Sequence, residues 1–148
     1  MSQSNTLIKN KLHWIYKYLS IPWVAGGRDK QGVDCWGLLR LVYKEEFGIE
    51  LPEVPGLPWN TKPAAKMLRE IVEQESASWT EIAKPIDGCG VAMSKNTILH
   101  HVGIWAVADG GKIVHCLQPQ NVEAVSLNWL WPKGFFVIKF YRHKLWPT

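Results

Sequence analysis

In the stretch GVDCWGLL, Cys35 stands between Asp34 and Trp36, where a glycine-bounded loop gives way to an apolar run of helical spacing. An aspartate in that place caps a helix, and the residue after it lies in the first turn. There the free backbone N–H groups and the helix dipole favour a thiolate. Gly37 leaves little bulk near the sulfur and lets a substrate or strand approach closely. A thiolate that attacks a carbonyl also needs a base that shuttles its proton and protonates the leaving group. His101 and His115, both in runs of β period, are the candidates. A polar group behind such a base orients its imidazole and fixes the tautomer. The same residues admit a bland reading, since a cysteine at a helix start also packs as a small apolar side chain. A histidine on a strand can equally be structural. Residue spacing by itself leaves both readings open.

The other reactive side chains carry less. His100 adjoins His101, so on a strand the two point to opposite faces and only one can address Cys35. His13 and His143 have no catalytic context, and surface or interface roles suffice for them. By alternation Cys116 points away from His115 and reads as core, while Cys89 reads as a small residue at a strand start. Three cysteines without a C-x-x-C pair argue against a disulfide framework and fit reduced thiols. The spacing of Cys89, Cys116 and His115 matches no common zinc pattern, so no metal is expected.

These residues need elements to hold them. Residues 5–19 place Ile8, Leu12, Ile15 and Leu19 at helical spacing, with Asn5 or Thr6 as caps and Pro22 as the stop. Residues 24–33 form a glycine-rich loop. Leu38, Leu41, Val42 and Phe47 give the next helix its buried face, and Gly48 suits a left-handed stop. Pro52, Pro55 and Pro58 mark an extended surface segment; Thr61 and Pro63 open a third helix with Met67, Leu68, Ile71 and Val72 as its apolar positions. Beyond it the period changes to two, in CGVAMS, HHVGIWAV, KIVHCLQ, VEAVSLNW and FFVIKFYR. ADGG joins the second and third of these runs as a hairpin. Helices followed by a meandering antiparallel sheet make an α+β fold, expected as one domain over residues 1–148.

Composition narrows the function classes. The 47% apolar content and 9 tryptophans exclude a disordered chain. A net charge of +4 with scattered lysines gives no stripe for a nucleic-acid groove. No stretch approaches the roughly 18 apolar residues of a membrane span. The opening MSQSNTLIKNKLHW lacks a basic segment followed by an apolar run, so no Sec-type signal peptide is expected.

GVDCWGLL, followed by HVGIW and then IVHC, resembles the NlpC-type family of bacterial cell-wall cysteine peptidases. The resemblance runs from about residue 22 to residue 125. It is closest to short, single-domain, phage-associated members, through GGRD…GVDCWGL and HCLQPQNV. It implies a papain-like fold, with N-terminal helices packed on a five- to six-stranded antiparallel sheet. It also implies that Cys35 is the nucleophile, His101 the general base and acid, and His115 the orienter. Asp34 matches a family aspartate that helps receive the free amino end of a peptidoglycan stem peptide. Trp23 falls where relatives usually carry a tyrosine reaching the active site, and Trp36 where serine is commoner; both are candidate substrate contacts.

The hairpin departs from the family's usual spacing. A three-residue turn at Asp109–Gly111 would pair His115 with Trp105 and set it roughly 13 Å along the strands from His101. A bulge would correct that; otherwise Gln118 would stand nearer His101 as the orienter.

The resemblance further implies hydrolysis of the γ-D-glutamyl–diaminopimelate bond of stem peptides, with no metal or organic cofactor. The implied partners are peptidoglycan and phage tail-tip proteins, with no nucleic acid. The expected place of action is the cell wall, reached from a bacterial cytoplasm within a phage or prophage tail. The alternatives are an antibacterial amidase effector of a contact-dependent system and a catalytically silent tail-tip module. The NWLWP tryptophans either serve tail assembly or cap the sheet.

Overall fold

A computed structural model describes residues 13–52, 73–95 and 98–146, with backbone alone at 98–100. The helix expected from Thr61 and most of the one expected at 5–19 lie outside these residues. What is described of the latter is a single 3-10 turn, Trp14–Lys17, capped by the His13 ring. His13 and Trp14 both donate to the Asp87 carboxylate, at 3.1 and 3.2 Å, which ties this turn to the sheet.

The glycine-rich loop contains a small hairpin, β1 (Arg28–Asp29) and β2 (Gly32–Val33). It delivers the chain to helix α1, Cys35–Val42. Asp34 is the N-cap of α1, as the sequence predicts, and its Oδ1 accepts the Gly37 N–H at 2.7 Å. The helix runs into a π-turn over Tyr43–Phe47 and ends at Gly48, whose φ of 67° is left-handed.

Among the described residues six strands follow: β3 (Trp79–Ile82), β4 (Gly90–Lys95), β5 (Ile98–Ala106), β6 (Lys112–His115), β7 (Glu123–Val125) and β8 (Val137–His143). They form one antiparallel sheet in the order β3-β8-β4-β5-β6-β7. The expected α+β class holds. Two local expectations fail. β3 has no counterpart among the five expected runs; WTEI is too short to show its period and is held by pairing with β8. VEAVSLNW is a strand only through Val125, after which Leu127–Leu130 turns into a short helix, α2. That turn sends Leu130 into the core.

The sheet separates two apolar clusters. On one face Val102, Ile104, Ala106 and Val114 meet α1, whose Trp36, Leu38, Leu39, Leu41 and Val42 are all buried. Each such aliphatic side chain contributes about 1.5–3 kcal/mol when fully buried. On the other face Val91, Met93, Ile113, Val125, Leu130 and Phe135 pack together. His143, expected at a surface or interface, is buried against Trp79, with ring centroids 4.8 Å apart.

Candidate active site

Cys35 owes its position to its neighbours. The Asp34 carboxylate accepts from Gly26 N (2.9 Å), Gly37 N (2.7 Å) and Arg28 Nη1 (3.0 Å), so it clamps the loop, β1 and the start of α1 together. Gly37 permits the approach: a Cβ there would lie 2.0 Å from the Gly27 carbonyl oxygen. Asp34 is 3% exposed with both oxygens engaged. It is therefore a clamp, whereas the resemblance implied an acceptor open to a substrate amine.

The sulfur of Cys35 meets the N–H groups of Val102 and Trp36. Val102 directly follows His101, so the sulfur approaches β5 at the peptide joining those two residues. Cys35 keeps partial exposure to solvent. Dense packing nonetheless pushes its thiol up to about 12, the Asp34 carboxylate acting the same way and the two N–H contacts opposing. The expected lowering of the thiol pKa is thus reversed. Loss of water around the sulfur outweighs the donors at the helix start, and the thiol rests neutral.

His101 and His115 are brought together. His101 Nε2 lies 2.9 Å from His115 Nδ1, and the rings meet edge to face. The anticipated separation along the hairpin does not exist. β5 pairs with β6 through Ile104↔Val114, Trp105↔Ile113 and Ala106↔Lys112, which sets His115 against Gly103. The turn takes up Val107 and Ala108 as well as Asp109–Gly111, shifting the register by two residues. Trp105 packs its ring over Gly111, where a Cβ would lie 2.3 Å from Cζ2, and the positive φ of 101° there suits glycine. The bulge that does occur lies on the other edge of β5, where Met93↔His101 is followed by Ser94↔Leu99 and His100 becomes the extra residue. Gln118, the other candidate orienter, is exposed beyond the end of β6.

Both histidines are buried, at 2% and 0% exposure. The His101 ring stacks on Phe135 and the His115 ring meets Trp129 edge to face, centroids 5.9 and 5.0 Å apart. Trp129 of NWLWP therefore covers His115, while Trp131 points outward at 62% exposure. Burial holds His101 well below the ordinary imidazole value, with His115 adding to it, and pulls His115 down to about 4. Both rings are neutral at pH 7. His115 Nε2 lies 3.3 Å from Glu123 Oε1, directly across the β6–β7 ladder. The pair is close but not aligned as a hydrogen bond, so among the described residues both buried atoms lack a hydrogen-bond partner. Each atom left so costs about 1–3 kcal/mol. Glu123 escaped the sequence reading; its one signal, an acidic residue opposite a histidine, needs the register to be seen.

The remaining candidates fall elsewhere. Trp36 is 2% exposed and donates its ring N–H to the Pro52 carbonyl at 3.1 Å, so it is a core residue and not an open substrate contact. It borders a cavity of about 490 Å³ together with Leu39, Trp79, Val102 and Tyr141. Trp23 is part-buried against the main core and bridges Val33. Cys89 and Cys116 are buried, and the Cys116 thiol faces the Val33 carbonyl at 3.4 Å. Among the described residues no three His, Cys, Asp or Glu side chains gather to hold a metal ion.

A thiol at a helix start and a histidine that a second imidazole orients are the parts needed to pass a proton from sulfur to a leaving group. Comparison with known proteins gives this geometry a context. The NlpC/P60 family model matches residues 20–139. Protein P54 of Enterococcus faecium is 32% identical over 120 residues, 79% of this chain and 20% of the relative. Gamma-DL-glutamyl hydrolase of Bacillus subtilis (strain 168) is 29% identical over 115 residues, 77% of this chain and 24% of the relative. The chain thus spans only a fifth to a quarter of these curated relatives. Among solved structures, the NlpC/p60 domain of the peptidoglycan hydrolase SagA superposes with a TM-score of 0.57 at 25% identity, covering 93% of this chain and 95% of that one. An NLP/P60 family protein of Staphylococcus aureus subsp. aureus Mu50 shares the fold, with a TM-score of 0.52 at 20% identity over 90% of this chain and 39% of that one. The chain belongs to the NlpC/P60 family.

Proposed function

We propose that this chain is a cysteine endopeptidase that hydrolyses peptidoglycan stem peptides at the γ-D-glutamyl–diaminopimelate bond. The observation that carries the proposal is the 2.9 Å contact between His101 Nε2 and His115 Nδ1, beside the peptide that the Cys35 sulfur approaches. The names of two relatives, a gamma-DL-glutamyl hydrolase and a peptidoglycan hydrolase, support the bond and the polymer.

With Nε2 engaged by His115, Nδ1 is the His101 nitrogen left for the thiol. Cys35 starts neutral, so its proton passes to His101 Nδ1 as the sulfur attacks the carbonyl carbon. The resulting oxyanion is held by backbone N–H groups at the start of α1, a place where preorganised donors lower a barrier by about 2.7–4 kcal/mol each. His101 then protonates the amine as the C–N bond breaks, leaving a thioester. Water attacks the thioester, giving its proton back through His101, and frees a carboxylate and the thiol.

Digestion of purified diaminopimelate-type muropeptides, with mass spectrometry of the products, tests this. New free amino ends on diaminopimelate, absent with Cys35→Ala, are the expected result. Cleavage of another bond would overturn the stated specificity, and intact substrate after exposure to folded protein would overturn the activity.

The place of action is also a proposal: a phage or prophage tail that opens the wall locally. The phage-type opening GGRD…GVDCWGL supports it, as does the exposed Trp131–Phe136 pair, an apolar surface for a tail partner. Peptides of this chain in purified virions are the expected finding; their absence would sink this placement.

A further inference from the structure

We infer that Glu123 is a positioning residue that sets the tautomers of both histidines, and so decides which nitrogen of His101 can act as a base. The inference rests on the proposed role of His101, but it concerns a proton arrangement that exists whether or not any peptide is cleaved.

One proton lies between His101 Nε2 and His115 Nδ1, which are 2.9 Å apart. In the first arrangement His101 carries it and donates to His115 Nδ1. His115 then bears its own proton on Nε2, and His101 Nδ1 is bare and able to take the thiol proton. In the second, His115 Nδ1–H donates to His101 Nε2. His115 Nε2 is then a bare lone pair, and His101 Nδ1 carries a proton and cannot act as a base. Only the first arrangement serves a nucleophilic cysteine.

The two differ in what His115 Nε2 presents to Glu123 Oε1, 3.3 Å away. An N–H there meets a carboxylate acceptor; a lone pair meets a like charge. Both atoms are buried, and among the described residues neither has another hydrogen-bond partner. Register makes the encounter systematic. His115 and Glu123 are Cα partners across β6 and β7, so their side chains stand on one face. Trp129 closes over the His115 ring, which limits its freedom to turn away. Glu123 sits on the terminal strand of the sheet and its side chain is 36% exposed, so a small rotation of the carboxylate aligns the bond.

The test is long-range ¹H–¹⁵N correlation spectroscopy on ¹⁵N-histidine-labelled protein, which distinguishes a protonated ring nitrogen from a bare one. In wild type, His115 should show bare Nδ1 and protonated Nε2, with His101 protonated at Nε2. Glu123→Leu, which offers no acceptor, should shift His115 toward the Nδ1–H form and lower kcat about tenfold or more with KM nearly unchanged. Glu123→Gln can turn its amide oxygen to His115 and should restore the wild-type tautomers and most of kcat. A wild-type His115 protonated at Nδ1 would overturn the inference, and that measurement needs no variant to fold. So would unchanged tautomers in folded Glu123→Leu. Failure to cleave muropeptides would count against the proposed activity and leave the tautomer result standing on its own.

Discussion

The two sides of the site are built on opposite plans. On the cysteine side, both oxygens of the Asp34 carboxylate are engaged by Gly26, Gly37 and Arg28, and among the described residues no buried side-chain polar atom of the clamp is left over. On the histidine side, two neutral rings are buried together and a ring nitrogen and a carboxylate oxygen face each other without a formed bond. Saturated polar groups make a rigid support, because moving any one of them strands the others. Unsaturated ones cost stability and leave room for a proton to move. The clamp fixes where the sulfur is, and the histidine side remains free to change its protonation during the reaction.

Removing the nucleophile is the largest test of this contrast. Cys35→Ala should abolish muropeptide cleavage with little effect on folding, since the clamp does not involve the thiol; a residual rate near wild type would place the chemistry elsewhere. Next comes the clamp. Asp34→Ala removes the acceptor of the Gly26 and Gly37 N–H groups and the carboxylate partner of Arg28, and should cost about 3–5 kcal/mol in urea unfolding. Asp34→Asn keeps an oxygen for Gly37 and should cost clearly less. Equal losses would mean that charge, not capping, dominates there.

On the histidine side, His115→Ala should cut kcat by about 10²–10⁴-fold while the urea midpoint moves less than for Asp34→Ala. An unaffected kcat would remove His115 from the relay. The pH dependence follows from the same burial. His101 is held below the ordinary imidazole value of about 6.5, so the acid limb of kcat/KM should fall below that pH. His115, lowered to about 4, must stay neutral in the fold, while the unfolded chain binds a proton from about 6.5 downward. The unfolded state therefore holds more protons between these values. Stability should be full above pH 6.5 and should fall by up to about 1.4 kcal/mol per pH unit as the pH drops toward 4. A flat stability profile in that window would contradict the neutral buried pair. The smallest effect belongs outside both regions: Trp131→Ala should shift stability by no more than about 0.5 kcal/mol and leave muropeptide cleavage unchanged.

The two sides also differ in how far the sequence reveals them. Asp34, Cys35, Gly37 and Gly48 act through hydrogen bonds and backbone angles within a few residues, so the helix start, its cap and its left-handed stop were legible from residue types alone. The order of Cys35, His101 and His115 was read through the family resemblance, and the α+β class and most of the strands from the change of period along the chain. The contact between His101 and His115 was not. It depends on the number of residues the turn at 107–111 absorbs, a turn in which Trp105 packs on Gly111. Glu123 became visible only when β7 was laid beside β6. The split of NWLWP into a cover for His115 and an exposed Trp131 depended on where the strand stops and α2 begins. The thiol's upward shift and the burial of Trp36 were likewise decided by what packs around them from distant parts of the chain. Local chemistry determined which residues can do the work. Register and desolvation are non-local, so the tertiary structure alone decided where those residues stand and how deeply they are buried.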